Sequence, residues 1–72
     1  MTDKEWIALF AAQLGVEPPS AAETEDLLAL AAVAAHASER TAAPVACWLV
    51  ARAGTAPSDA LAIASAVAPA EG

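Results

Sequence analysis

Glycine and proline punctuate this chain only at the ends of four segments, and each segment is dominated by alanine with leucine and valine. About a third of the 72 residues are alanine. Alanine is the strongest helix former, because it loses no side-chain entropy and buries no polar group. No segment alternates apolar and polar residues with period two for more than a few positions, so strands are not expected. The same alanines limit the core. Each buries little area, and burial stabilises at roughly 25 cal/mol per Å². A chain of this length also covers only roughly 60% of the surface its unfolded form exposes. The expected fold is all-α, a compact bundle of four short helices forming one domain over residues 1–72. Such a scaffold commonly supplements its core by self-association or by docking on a partner.

The helix ends are written in capping residues. Thr2 and Glu5 have capping-box spacing, Trp6, Leu9, Phe10 and Leu14 recur on one helical face, and Gly15 offers a left-handed stop. The first helix is expected over about 3–14. Pro18-Pro19 makes a non-helical linker, and Ser20 with Glu23 repeats the capping box, with Thr24 as an alternative cap. The second helix, about 21–39, contains neither glycine nor proline. Pro44 suits the first turn of a third helix over about 44–53, closed by Gly54, with Arg52 complementing the dipole of its last turn. Val45, Cys47, Trp48, Leu49 and Val50 surround that helix with apolar groups, which predicts that it is the buried central element. Ser58 is the expected cap of a fourth helix over about 59–68, ended by Pro69, and Glu71-Gly72 is expected to fray.

The formal net charge is −6, with Lys4, Arg40 and Arg52 the only strongly basic side chains. Three scattered bases cannot neutralise a run of phosphates, so neither nucleic-acid binding nor docking on an anionic membrane is expected. Charges at Asp3, Lys4 and Glu5 interrupt the N-terminus where the apolar core of a signal peptide would lie. Uncharged stretches such as Thr41 to Ala51 and Ala60 to Ala70 are far shorter than the roughly 20 residues of a membrane span. A cytoplasmic location is the expectation. The single Cys47 cannot form an internal disulfide.

Polar chemistry is sparse. His36, Glu39 and Arg40 cluster at offsets of three and four at the end of the second helix, just ahead of the third. One reading is a small anion or phosphate site built from Arg40, His36 and the amides near Ala43, with Trp48 or Trp6 stacking on a planar ligand. The plainer reading is a helix-end network in which His36 and Arg40 complement the dipole and Glu39 pairs with a neighbour. No catalytic residue is assigned. Cys47 sits in the most apolar segment and is expected to pack as a small core residue rather than act as a nucleophile. No metal is expected, because a structural site wants four ligands and His36 and Cys47 stand alone. There is no glycine-rich phosphate loop, and no cofactor is expected. An enzyme using His36 as acid or base would need an open cleft, which this chain could form only at a dimer interface.

The central segment, with Leu27-Leu28, Ala34-Ala35-His36, Glu39-Arg40, Ala43-Pro44-Val45 and Trp48-Leu49, resembles a small actinobacterial helical domain family of unknown function. Trp6 and Leu14-Gly15-Val16 are similar to that family's first helix, so the resemblance spans about Thr2 to Gly54. It departs after Leu49, where Val50-Ala51 replaces a common glycine and the acidic-tryptophan ending is missing. Domains of the family occur alone or fused to nucleotidyltransferases resembling molybdenum cofactor guanylyltransferase, and near genes for formate dehydrogenase maturation. The resemblance implies a stand-alone accessory module of molybdopterin cofactor assembly, with polar positions at His36, Glu39 and Arg40. Together these readings predict a non-catalytic helical interaction module whose partner is another protein, such as a molybdenum cofactor enzyme, or a second copy. Helices one and four would supply its exposed apolar side chains. The alternative is a small anionic-ligand binder using Arg40, His36 and the start of helix three.

Overall fold

A computed structural model of the chain describes residues 1–67. They form four α-helices, α1 (Asp3–Leu14), α2 (Ala21–Ala37), α3 (Ala42–Ala53) and α4 (Pro57–Val67), and no strand is present among them. The all-α bundle of four helices is therefore the fold. The end of α4 at Pro69 and the Glu71-Gly72 tail lie outside the described residues.

Local chemistry explains most boundaries. At α1 the Thr2 hydroxyl accepts from the Glu5 amide at 3.1 Å, while the Glu5 carboxylate accepts from the Thr2 amide at 2.8 Å. At α2 the Ser20 and Glu23 pair repeats both bonds at the same distances. Each box satisfies two donors that a helix start otherwise leaves without partners. Thr24 lies inside α2, its amide donating to the Ser20 carbonyl. Gly15 and Gly54 end α1 and α3 at φ 77° and 70°, a left-handed conformation that a Cβ would strain. The following amides of Val16 and Thr55 reach back to the carbonyls of Ala11 and Val50, closing the double-bonded stop that such a glycine permits.

Three boundaries differ from expectation. α2 ends at Ala37 rather than 39, where the Ser38 amide and hydroxyl both donate to the Ala34 carbonyl. α3 begins at Ala42, two residues before Pro44. The amides of Ala42 and Ala43 donate to the carbonyls of Glu39 and Arg40, so the tight turn itself winds the chain into the helix. Pro44 then occupies the third position, where no intrahelical donor is needed. α4 begins at Pro57, with the Ala60 amide on the Ala56 carbonyl, so Ser58 lies within its first turn and does not cap it. Proline at the first helical position, with φ preset, outweighs the serine signal.

The packed helix pairs are α2 with α3 and α2 with α4, and α1 forms no comparable interface. The long axis of 41 Å exceeds the roughly 26 Å of the 17-residue α2. The expectation that the third helix is central is overturned: α3 contains no buried residue, and α2 is the element with neighbours on two sides. A helix apolar all round is usually enclosed, yet α3 packs closely on α2 alone, which cannot enclose it. Among the described residues, the buried hydrophobic positions are Ala11, Leu30 and Ala60. Leu30 is the large one, 2% exposed at the middle of α2, and Ala60 lets α4 approach closely. Trp6 and Trp48, whose usual place is a core, are 54% and 58% exposed.

One side chain thus carries an unusual share of the tertiary packing. Leu30→Ala is expected to cost about 2–5 kcal/mol, enough to abolish cooperative unfolding in a domain this small. Leu28→Ala, two residues away and exposed, should stay within about 0.5 kcal/mol of the parent. Urea titrations followed by far-ultraviolet circular dichroism compare the two directly.

Candidate functional site

The residues singled out from sequence lie around the turn between α2 and α3. His36 is in the last turn of α2, and Glu39 and Arg40 are in the turn itself. All three are exposed. None takes part in a side-chain hydrogen bond among the described residues, so the helix-end network expected of Glu39 is not formed through hydrogen bonds. The start of α3 offers an anion little help. The Ala42 and Ala43 amides are already used by backbone carbonyls, and Pro44 has no N–H. An anion at this turn would rest on the Arg40 and His36 side chains in open solvent, where charge pairs are weakest.

Trp48 is drawn into a different arrangement. The guanidinium of Arg52, one helical turn on, lies over the Trp48 ring with its central carbon 5.4 Å from the ring centroid. Such a contact is attractive because the ring face carries partial negative charge. Val45, Trp48, Leu49 and Arg52 follow one another at offsets of three, four and seven, so they form a single stripe along α3. Val45, Trp48 and Leu49 are each more than half exposed. Sequence reasoning saw these residues as apolar groups surrounding a buried helix. The signal against burial was Arg52, whose charge at a four-residue offset from Trp48 marks that face as solvated.

Two concavities border the helices. The larger, of about 600 Å³, runs between α2, α3 and α4 and is walled by Leu30, Val33, Leu49, Val50, Ile63 and Val67 among smaller residues. No charged side chain among the described residues lines it. The smaller, of about 360 Å³, lies between α1, the Pro18-Pro19 linker and the start of α2, with Asp3, Lys4 and Glu25 at its rim. His36, Glu39, Arg40, Trp48 and Trp6 line neither. Cys47 is half-buried on α3. No group of three or more histidine, cysteine or carboxylate side chains able to hold a metal occurs among the described residues. No helix among them is long and apolar enough to cross a membrane.

The chain belongs to a family defined as a domain of unknown function, DUF6457, whose profile matches residues 2–72. No curated protein and no solved structure matches it.

Because His36 and Arg40 project into solvent without hydrogen-bonded partners, both should be dispensable for folding. His36→Ala and Arg40→Ala are each expected to change unfolding free energy by no more than about 0.5 kcal/mol. A loss of several kcal/mol in a denaturant titration would instead assign them a structural role.

Proposed function

We propose that this DUF6457 domain is a non-catalytic docking module that presents a helix face to a protein partner. The observation that carries the reading is the exposed stripe of Val45, Trp48, Leu49 and Arg52 on α3, with Arg52 stacked on Trp48. Tryptophan and arginine are the residue types most enriched among the few side chains that dominate binding energy. An aromatic ring held by a neighbouring cation is also partly pre-organised, which lowers the entropy lost on association. The partner chemistry that fits is an apolar groove bearing a carboxylate at one end to receive Arg52.

For the partner's identity, the support is the resemblance of the His36 to Leu49 stretch to actinobacterial domains found fused to nucleotidyltransferases of the molybdenum cofactor guanylyltransferase type. On that basis the chain serves as a cytoplasmic accessory module of molybdopterin nucleotide assembly, docking on the transferase rather than performing the transfer. The anionic-ligand alternative, built on Arg40, His36 and the start of α3, is not adopted, because the Ala42 and Ala43 amides it would use are already bonded.

Calorimetric titration of the chain into a purified molybdenum cofactor guanylyltransferase tests the proposal. A complex is expected, with Trp48→Ala weakening it roughly 30-fold, the effect of losing a dominant interface residue. Arg40→Ala should leave the affinity unchanged. Absence of a complex removes the assigned partner. A complex indifferent to Trp48→Ala but lost with Arg40→Ala would move recognition to the α2–α3 turn.

A further inference from the structure

The docking stripe on α3 leaves two other apolar surfaces unexplained, and they lie in different parts of the chain. One is the face of α1 that carries Trp6, Leu9, Phe10 and Leu14, all between 48% and 60% exposed. Trp6 and Phe10 stack on each other there, with ring centroids 5.1 Å apart, so the face is already ordered. The other is the uncharged groove between α2, α3 and α4, a three-helix arrangement with an open side. We infer that α1 of one copy seats in the α2–α3–α4 groove of a second copy, and that the exchange is reciprocal, giving a two-fold dimer.

Charge selects this pairing over its rivals. Residues 1–26 carry six acids, Asp3, Glu5, Glu17, Glu23, Glu25 and Asp26, against Lys4 alone. Residues 27–67 carry Glu39 and Asp59 against Arg40 and Arg52, and so are balanced. A contact of α1 with α1 would bring two acidic N-terminal segments together, and like charges across an interface are costly. Seating α1 in the groove instead brings the acidic segment to the part of the molecule that holds both arginines. Arg40 and Arg52 neighbour the groove-lining Ala42 and Ala53 in the chain.

Area selects reciprocity. Taking an aromatic side chain as roughly 200 Å² and an aliphatic one as roughly 110 Å², the exposed parts of the α1 face and of Leu49, Ile63 and Val67 amount to roughly 550 Å². One such contact is half of what a specific interface needs, whereas two related by symmetry reach roughly 1,100 Å², above the threshold of about 1,000 Å². Two-fold closure also consumes every copy of both surfaces, so the assembly stops at a dimer. The Pro18-Pro19 linker restricts the joint between α1 and the rest of the chain to extended conformations, which lowers the entropy lost when α1 seats on a second copy.

The test uses the full chain in native form and as Phe10→Glu and Ile63→Glu, measured by light scattering over a concentration series. The native chain is expected at twice the chain mass, and each variant alone at the monomer mass. An equimolar mixture of the two variants keeps one of the two contacts, since one subunit has an intact groove and the other an intact α1, and should associate more weakly than the native chain but more than either variant alone. A native chain that stays monomeric overturns the inference, as does a variant that dimerises alone or a mixture that associates no more than either variant does by itself. The native-monomer outcome leaves the docking reading standing, because that reading rests on Trp48, which does not line the groove, although Leu49 is shared by both surfaces. Should circular dichroism show that Ile63→Glu unfolds, Trp48→Phe isolates Trp6 as the fluorophore. Its emission should then shift to the blue with rising concentration, and a constant spectrum would refute the seating of α1.

Discussion

Burial of Leu30 is the contact on which the tertiary structure turns. It sits at the middle of the longest helix, where α3 and α4 both pack against α2, and it is almost completely withdrawn from solvent. In an alanine-rich chain few side chains are large enough to contribute on the order of 2 kcal/mol by burial. Leu30 does so on the side of α2 facing α4, whose buried position is the small Ala60, and both border the space between α2, α3 and α4. The result is a three-helix packing organised by α2, with α1 attached through a linker stiffened by two prolines. Local interactions carry much of the remaining order. The two capping boxes and the two glycine stops fix helix ends independently of any core.

A core this thin leaves large apolar side chains outside it, and their distribution is what gives the domain its character. Soluble chains normally scatter exposed apolar residues singly, whereas contiguous apolar surfaces mark interaction sites. Here they gather on three surfaces: the α1 face, the α2–α3–α4 groove and the α3 stripe. The polar residues do not converge in the same way. His36, Glu39 and Arg40 remain exposed near one another along the chain, without hydrogen-bonded partners and without a cavity. These apolar surfaces are what the proposed docking and self-association rest on.

Much of the secondary structure was legible from short-range pattern. Thr2 with Glu5 and Ser20 with Glu23 announce helix starts, because a hydroxyl and a carboxylate three residues apart can satisfy each other's backbone amides with no help from the rest of the chain. Gly15 and Gly54 announce stops for an equally local reason, the left-handed backbone they adopt. The start of α3 was less legible, since it depends on a backbone turn between Glu39 and Ala43 that no side chain advertises. At α4 two local signals competed, and Pro57 prevailed over Ser58. Of the candidate site residues, Trp48 found a partner in Arg52 rather than in Arg40, because a four-residue offset on one helix brings side chains together whereas the turn after α2 does not.

By itself, the sequence determined four helices, their caps, the absence of strands among the described residues and the charge separation between the two halves of the chain. Each of these follows from neighbours within about one helical turn, or from composition. Only the tertiary structure decided which helix is central. The hydrophobic pattern made α3 the apolar candidate for the interior, but burial depends on how many neighbours a helix has, and α2 alone packs on two sides. With α1 forming no interface comparable to those of α2, there are too few elements to enclose α3. Its tryptophan, valine and leucine, which pattern alone would assign to a core, become surface available for binding.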